Sequence, residues 1–317
     1  MNDGIFLYAD YLTNIQKQLK SYLETGKKYY IEMEGNALNQ NSFHSLLEDF
    51  PTNAYQEIFK EFKDDLDLYI CIKSNTIIKH YLENNDNLHD NILTNFKKME
   101  HIFWKKPNLV INFIDIENMY DVVFNFATSF QKLWYKTWEK YKIKRLDFHV
   151  DNIFTDVAME NDDHIPAMKN LNIMFNFEPQ SWRFLTSLTQ MYLDNEIGID
   201  AEYRSFSPFC NLNLSPNHPL NLLGEIWFIQ YLSEYQEEKK EDFYEKLMTE
   251  REFVKKCYTS LGKEIPESLS LGAIKEKFLT LDSILSLLKK RCEDLKPLCE
   301  GTIYEESFQM LANQIQK

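Results

Sequence analysis

Short apolar runs of β type alternate with longer amphipathic segments of helix type from the N-terminus to about residue 215, and this rhythm restricts the fold more than any motif does. Strand, helix and strand in succession are the signature of parallel β-α-β units joined by right-handed crossovers. The candidate strands are GIFLYAD (4–10), KYYIEMEG (28–35), LDLYICIKS (66–74), NLVINFIDI (108–116), IKRLDFHVDN (143–152), NLNIMFNFE (170–178) and GIDAEYRSF (198–206). The first of them also reads as the start of the helix that follows it. Between them lie YLTNIQKQLKSYLE, SFHSLLEDF, a stretch from IIKHYLENN to FKKMEHIFW, the long ENMYDVVFNFATSFQKLWYKTWEKY (117–141) and PQSWRFLTSLTQMYLDN. In the long segment Trp134, Trp138 and neighbouring Phe and Tyr residues recur at three- to four-residue spacing. That spacing predicts one helix with a buried aromatic stripe against the sheet.

Beyond Pro216 the pattern changes. NHPLNLLGEIWFIQYLSEYQEEKKEDFYEKLM and SLGAIKEKFLTLDSILSLLKKRCEDLK place apolar residues at helical spacing, and no comparable strand run follows. Ser215 and Pro216 suit a helix start, and Pro266 and Pro297 are expected to divide the region into separate helices. The expected architecture is therefore α/β, a barrel or partial (β/α) barrel with parallel strands over residues 1–215, followed by an α-helical C-terminal region over 216–317.

Bulk properties exclude several function classes. The chain has 317 residues and 44% hydrophobic content, enough for a sizeable core. A formal net charge of −14 opposes docking on a phosphate backbone, and the basic run in KKRCEDLK is balanced by its own acids, so no nucleic-acid partner is expected. The cysteines, Cys71, Cys210, Cys257, Cys292 and Cys299, include no CxxC pair. They read as reduced thiols of a cytoplasmic protein. No leader pattern opens the sequence and no apolar run approaches the roughly 18 residues of a membrane span, so no membrane association is expected.

Polar groups collect at the ends of the candidate strands. Asp10, Glu32 and Glu34, Lys73 and Asn75, Asp115 and Glu117, Asp151 and Asn152, Asn176 and Glu178, and Glu202 and Arg204 all fall there. In parallel α/β folds that edge is where ligands bind, although strand ends are also polar simply because they meet water. RLDFHVDN puts Asp147, His149 and Asp151 on one side of a strand and Leu146, Phe148 and Val150 on the other. Asp147, His149 and Asp151, with Glu178 from the next strand, have the donor types of a divalent metal site. Alternatively His149 is an acid–base group oriented by a carboxylate. The third reading is a solvated strand face, since same-face neighbours stand about 6 to 7 Å apart and cannot easily share one ion. Glu34 beside Gly35 suits an amine or a ribose hydroxyl, and Arg204 suits a carboxylate or phosphate; either fits an ordinary ion pair equally well. DDHIP (162–166), with His164, reads as turn chemistry, and His218 as a residue packed at a helix entrance. Glycine-rich phosphate loops, GxSxG, HExxH and GxGxxG are all absent from the sequence.

A family resemblance attaches to several of these segments. YYIEMEGNALNQNSFHSLLEDFP resembles the second strand, glycine turn and helix of radical SAM enzymes; DLYICIKSNTIIKHYLE resembles their third strand and NLVINFIDIENMYDVVFNF their fourth. FLTSLTQMYLDNEIGIDAEYRSFSPFC is similar to the last barrel helix, strand and early C-terminal cysteine of the peptide-modifying branch. The similarity spans about residues 28–215. The loop ADYLTNIQKQLKS, however, has none of the three CxxxCxxC cysteines that hold the cluster. The resemblance thus implies a degenerate barrel with no iron–sulfur cluster.

Three functional readings follow. The first is an enzyme acting on a small molecule or peptide in an acidic pocket at the strand ends, using His149, Asp115, Glu117, Glu34, Asp151 and Arg204. The second is a catalytically silent partner subunit related to radical SAM enzymes, meeting a peptide or partner protein through its helical C-terminal region. The third is a divalent-metal barrel enzyme.

Overall fold

The computed structural model describes residues 8–33, 51, 53–84, 87–114, 119–141, 164–177, 183–206, 219, 222, 223, 226, 243–266, 269–271, 281–300 and 305–315. In chain order the elements are α1 (Tyr8–Glu24), β1 (Lys28–Met33), α2 (Ala54–Phe59), β2 (Leu66–Lys73), α3 (Ser74–Leu82), α4 (Asn87–Phe103), β3 (Asn108–Ile114), α5 (Tyr120–Lys132) and β4 (Thr137–Tyr141). They continue as β5 (Leu171–Asn176), α6 (Arg183–Glu196), β6 (Ala201–Phe206), α7 (Phe243–Ser260), β7 (Ser270–Leu271), α8 (Leu281–Cys299) and α9 (Glu305–Ile315).

All seven strands run parallel in one sheet of order β4-β3-β2-β5-β1-β6-β7. The parallel α/β architecture is therefore as expected, in its open form. Without β1 the order is β4-β3-β2-β5-β6-β7, that of a doubly wound sheet, and β1 is inserted between β5 and β6.

The strands are apolar on both sides because helices cover both faces. Leu66, Leu68, Ile70 and Ile72 of β2 point to the front, where they pack with Ile31 of β1, Leu109 and Ile111 of β3, and apolar residues of α1 to α5, α8 and α9. Tyr69 and Cys71 point to the back, with Tyr30, Val110, Met174 and Tyr203, under Leu188 and Met191 of α6 and Phe253 and Cys257 of α7. The helices leading from β1, β2 and β3 toward β4 lie on the front, and α6 and α7, which lead from β5 and β6 toward β7, lie on the back, although Leu222, Leu223 and Ile226 between β6 and α7 pack with the front core. Right-handed crossovers running in opposite directions must divide between the faces in this way.

Residues 164–170 approach β5 along the back face and are pinned to α6. The Ile165 amide donates to Gln190 Oε1 at 2.8 Å, and His164 Nε2 lies 2.8 Å from Asp194 Oδ1. Asp194 is fully buried and also accepts from the Tyr30 hydroxyl at 2.7 Å, with Lys28 Nζ at 3.4 Å.

Four expectations need correction. Tyr8, Ala9 and Asp10 belong to α1 and not to a strand, since Tyr11, Ile15 and Leu19 line one buried helical face. The long aromatic helix stops at Lys132, and TWEKY is strand β4, paired with β3. The stop is a Schellman turn: Trp134 N–H bonds to Gln131 O at 2.9 Å, Tyr135 N–H to Phe130 O at 3.1 Å, and Trp134 sits at φ 65°. Trp134 is consequently 86% exposed, while Trp138 is half-buried against the back core. The C-terminal region is not wholly helical, because Ser270 and Leu271 pair with Ser205 and Phe206 as β7. Finally, Pro297 does not begin a new helix; it lies in the last turn of α8. The candidate strand 143–152 lies outside the described residues.

Candidate functional site

In an open parallel sheet, a crevice opens at the carboxyl edge where neighbouring strands send their connections to opposite faces. Here β2 leads to α3 on the front and its neighbour β5 leads to α6 on the back, so this junction is such a point. Helix α3 begins at Ser74, directly after the last residue of β2, with Lys73 in extended conformation as its N-cap residue. Both helices start at this edge and direct the positive ends of two helix dipoles toward it.

The back face turns from apolar to polar on approaching the same edge. Lys73 of β2 lies opposite Asn112 of β3, and Cys71 opposite Asn176 of β5. Asn112 is buried, and its Oδ1 accepts from Thr186 Oγ1, in the first turn of α6, at 3.3 Å. One row deeper, Glu32 of β1 lies beside Ser205 of β6 and receives the Tyr203 hydroxyl at 2.6 Å. Tyr203 is held protonated: burial, the Glu32 carboxylate and Glu250 together push its pKa well above the ordinary value. It therefore serves as a fixed donor to Glu32.

Of the residues that the sequence singles out, Arg204 is described and is committed internally. It projects to the front of β6, where Nε donates to the Tyr22 hydroxyl at 3.2 Å, Nη1 to the Tyr203 carbonyl at 2.7 Å, and Nη2 to Glu202. Its guanidinium lies 5.3 Å from the ring centroids of both Tyr22 and Tyr29, which stack at 4.2 Å. Lys27 donates to Glu202 at 2.6 Å and Lys263 to Asp200 at 2.6 Å, which extends the charged chain. Glu34, Asp115, Glu117, Asp147, His149, Asp151 and Glu178 lie outside the described residues. Among the described residues no group of three or more His, Cys, Asp or Glu is placed to hold a metal.

A family model described as "Domain of unknown function DUF1846, N-terminal" matches residues 5–227. The chain belongs to the DUF1846 family. Curated relatives carry the name UPF0371 protein. The one from Corynebacterium aurimucosum is 23% identical over 206 residues, covering 64% of this chain and 41% of the relative. The one from Fusobacterium nucleatum is 23% identical over 222 residues, covering 69% and 43%. The one from Streptococcus thermophilus is 25% identical over 230 residues, covering 71% and 46%. The chain thus spans less than half the length of these curated relatives.

Membership in DUF1846 corrects the radical SAM resemblance, and with it the peptide-modifying reading drawn from that resemblance. The strand order explains why the pattern misleads. Alternating strands and helices occur equally in barrels and in doubly wound sheets, and only the pairing separates them. Among the described residues of this DUF1846 chain no helix is long and apolar enough to cross a membrane. Asn112 and Thr186 escaped the sequence reading. The available signal for Asn112 was a lone amide breaking the apolar run LVINFI; for Thr186 there was none, because its partner is remote in sequence.

Proposed function

We propose that this DUF1846 domain binds a small polar molecule bearing an anionic group at the carboxyl edge between β2 and β5, and acts on it by acid–base chemistry. The observation that carries the reading is the junction where connections diverge to opposite faces, coinciding with the polar end of an otherwise apolar back face. Lys73 supplies a cation, and Asn112, positioned through Thr186, supplies an amide; the starts of α3 and α6 favour negative charge nearby. Glu32 is the buried carboxylate of the described residues nearest this role, held by Tyr203. In sequence, Glu34 follows Met33 and Asp115 follows Ile114, the last residues of β1 and β3, which supports them as further acidic groups. His149 is the proposed proton carrier, with Glu117 and Asp151 as orienting carboxylates.

Native mass spectrometry of the purified chain, followed by calorimetric titration of the retained molecule, tests this. Lys73→Met should weaken binding by about tenfold or more, since a charge-assisted hydrogen bond contributes about 1.5–3 kcal/mol. Where turnover of that molecule is measured, His149→Ala should lower the rate by about 10²-fold or more. Unchanged affinity in both Lys73→Met and Asn112→Leu overturns the assignment of the edge.

A further inference from the structure

At the opposite, amino-terminal edge, the back face carries a hollow with a cavity volume of about 200 Å³. Its walls include Lys105, Lys106, Lys136, Trp134 and Trp138, together with one carboxylate, Asp67. In a chain of net charge −14, three lysines around one hollow run against the surrounding field, so an anion that reaches it is held there and repelled elsewhere. The lysines are not equivalent. Lys105 is neutralised by Asp67 at 3.0 Å and donates to the Leu66 carbonyl. Lys106 and Lys136 are exposed and have no carboxylate partner among the described residues; Lys106 lies 5.2 Å from the Tyr135 ring centroid. Two ammonium charges are therefore available.

The aromatic lining is equally unbalanced. Trp134 holds a left-handed backbone conformation at φ 65° and exposes 86% of its surface, a position where glycine would be easier and a polar residue better solvated. Trp138 is half-buried, and its buried Nε1–H finds no acceptor among the described residues. Large aromatic planes beside lysines are the means by which proteins stack a base and neutralise its phosphate.

We infer that this hollow binds a nucleoside monophosphate. The volume suits a base and little more, and the base lies against the tryptophans. The phosphate, carrying about −1.5 to −2 charges near neutrality, matches the two free ammonium groups of Lys106 and Lys136 at the rim. The site is separate from the one proposed at the carboxyl edge and uses none of its residues.

Isothermal titration calorimetry of the full chain with adenosine 5′-monophosphate, adenosine and inorganic phosphate tests the inference. The monophosphate should bind saturably, at least tenfold more tightly than adenosine or phosphate alone, and more weakly as salt rises. Lys106→Glu, Lys136→Glu and Trp134→Gly should each weaken it tenfold or more, whereas Lys73→Met should leave it unchanged. All three are exposed positions, so circular dichroism should show these variants folded. Absence of saturable binding, equal binding of phosphate alone, or loss in Lys73→Met but not in Lys136→Glu overturns the inference. The last result would place the nucleotide at the carboxyl edge and leave the proposed function standing.

Discussion

Removal of the Asp194 carboxylate should be among the most damaging single changes to the back face. Asp194 is fully buried on α6 and gathers the Tyr30 hydroxyl at 2.7 Å, His164 Nε2 at 2.8 Å and Lys28 Nζ at 3.4 Å. Tyr30 remains a donor, because burial first and the Asp194 charge second push its pKa well above the ordinary value. Asp194→Ala deletes two short hydrogen bonds to a charged acceptor, each contributing about 1.5–3 kcal/mol, and strands a buried phenol. Loss of one partner of a buried charged cluster typically costs about 3–5 kcal/mol, and we expect that range. Tyr30→Phe alone removes a donor and leaves a carboxylate with other partners, so about 1–2 kcal/mol is expected. In the Asp194→Ala background the same change should be neutral or stabilising, since it removes the stranded hydroxyl. Urea unfolding of the four members of this double-mutant cycle measures the difference. An equal cost of Tyr30→Phe in both backgrounds, or a loss below about 1 kcal/mol for Asp194→Ala, would refute the reasoning.

Acid should loosen the charged chain on the front of β6. Burial tends to raise Glu202, but Lys27 and Arg204 outweigh it and hold its pKa below the ordinary value, as Lys263 and Lys27 do for Asp200. A lowered folded-state pKa gives stability that is complete above the ordinary carboxylate range of about 4 and disappears as pH falls through the folded value. Lys27→Met should therefore flatten the acid limb of a stability–pH curve measured by urea titration. Thiol chemistry should discriminate among the described cysteines: burial raises the pKa of both Cys257 and Cys292, but Cys257 is fully buried and Cys292 only half-buried, so Ellman's reagent should reach Cys292 in the folded chain and Cys257 only on unfolding. Gly198, which follows α6 at φ 84°, has open space within 4 Å of where a methyl group would sit, so Gly198→Ala should cost about 1–2 kcal/mol through backbone conformation alone, read in the same unfolding assay.

The sequence displays its elements well where one local rule decides them. KYYIEMEG, LDLYICIKS and NLNIMFNFE contain β1, β2 and β5 because strands buried on both faces must be short continuous apolar runs. The ends of α1, α6 and α7 are marked by Gly26, Gly198 and Gly262, all at positive φ. The end of α5 is hidden because the same left-handed position is filled by Trp134, and the aromatic spacing that continues into TWEKY imitates a helix. Two-residue β7 is below the length at which any pattern can register. Strand order is a property of remote pairs such as Ile31 with Ile173, so no window of sequence contains it. For the carboxyl edge, Lys73 and Asn176 are visible as polar strand ends, whereas the Asn112–Thr186 link exists only after α6 has packed across the sheet.

The placement of β1 has a bearing on biosynthesis. It is the first of the described strands to leave the ribosome, yet both of its lateral neighbours, β5 and β6, are made long afterwards. Until Ala201–Phe206 has emerged, the segment Lys28–Met33 has one flank or none to lie against, and its tyrosines and isoleucine stay exposed. Nascent chains arrested before that point should be protease-sensitive in this segment and attractive to chaperones, and the slow step of refolding should be the threading of this early strand into the gap between two later ones.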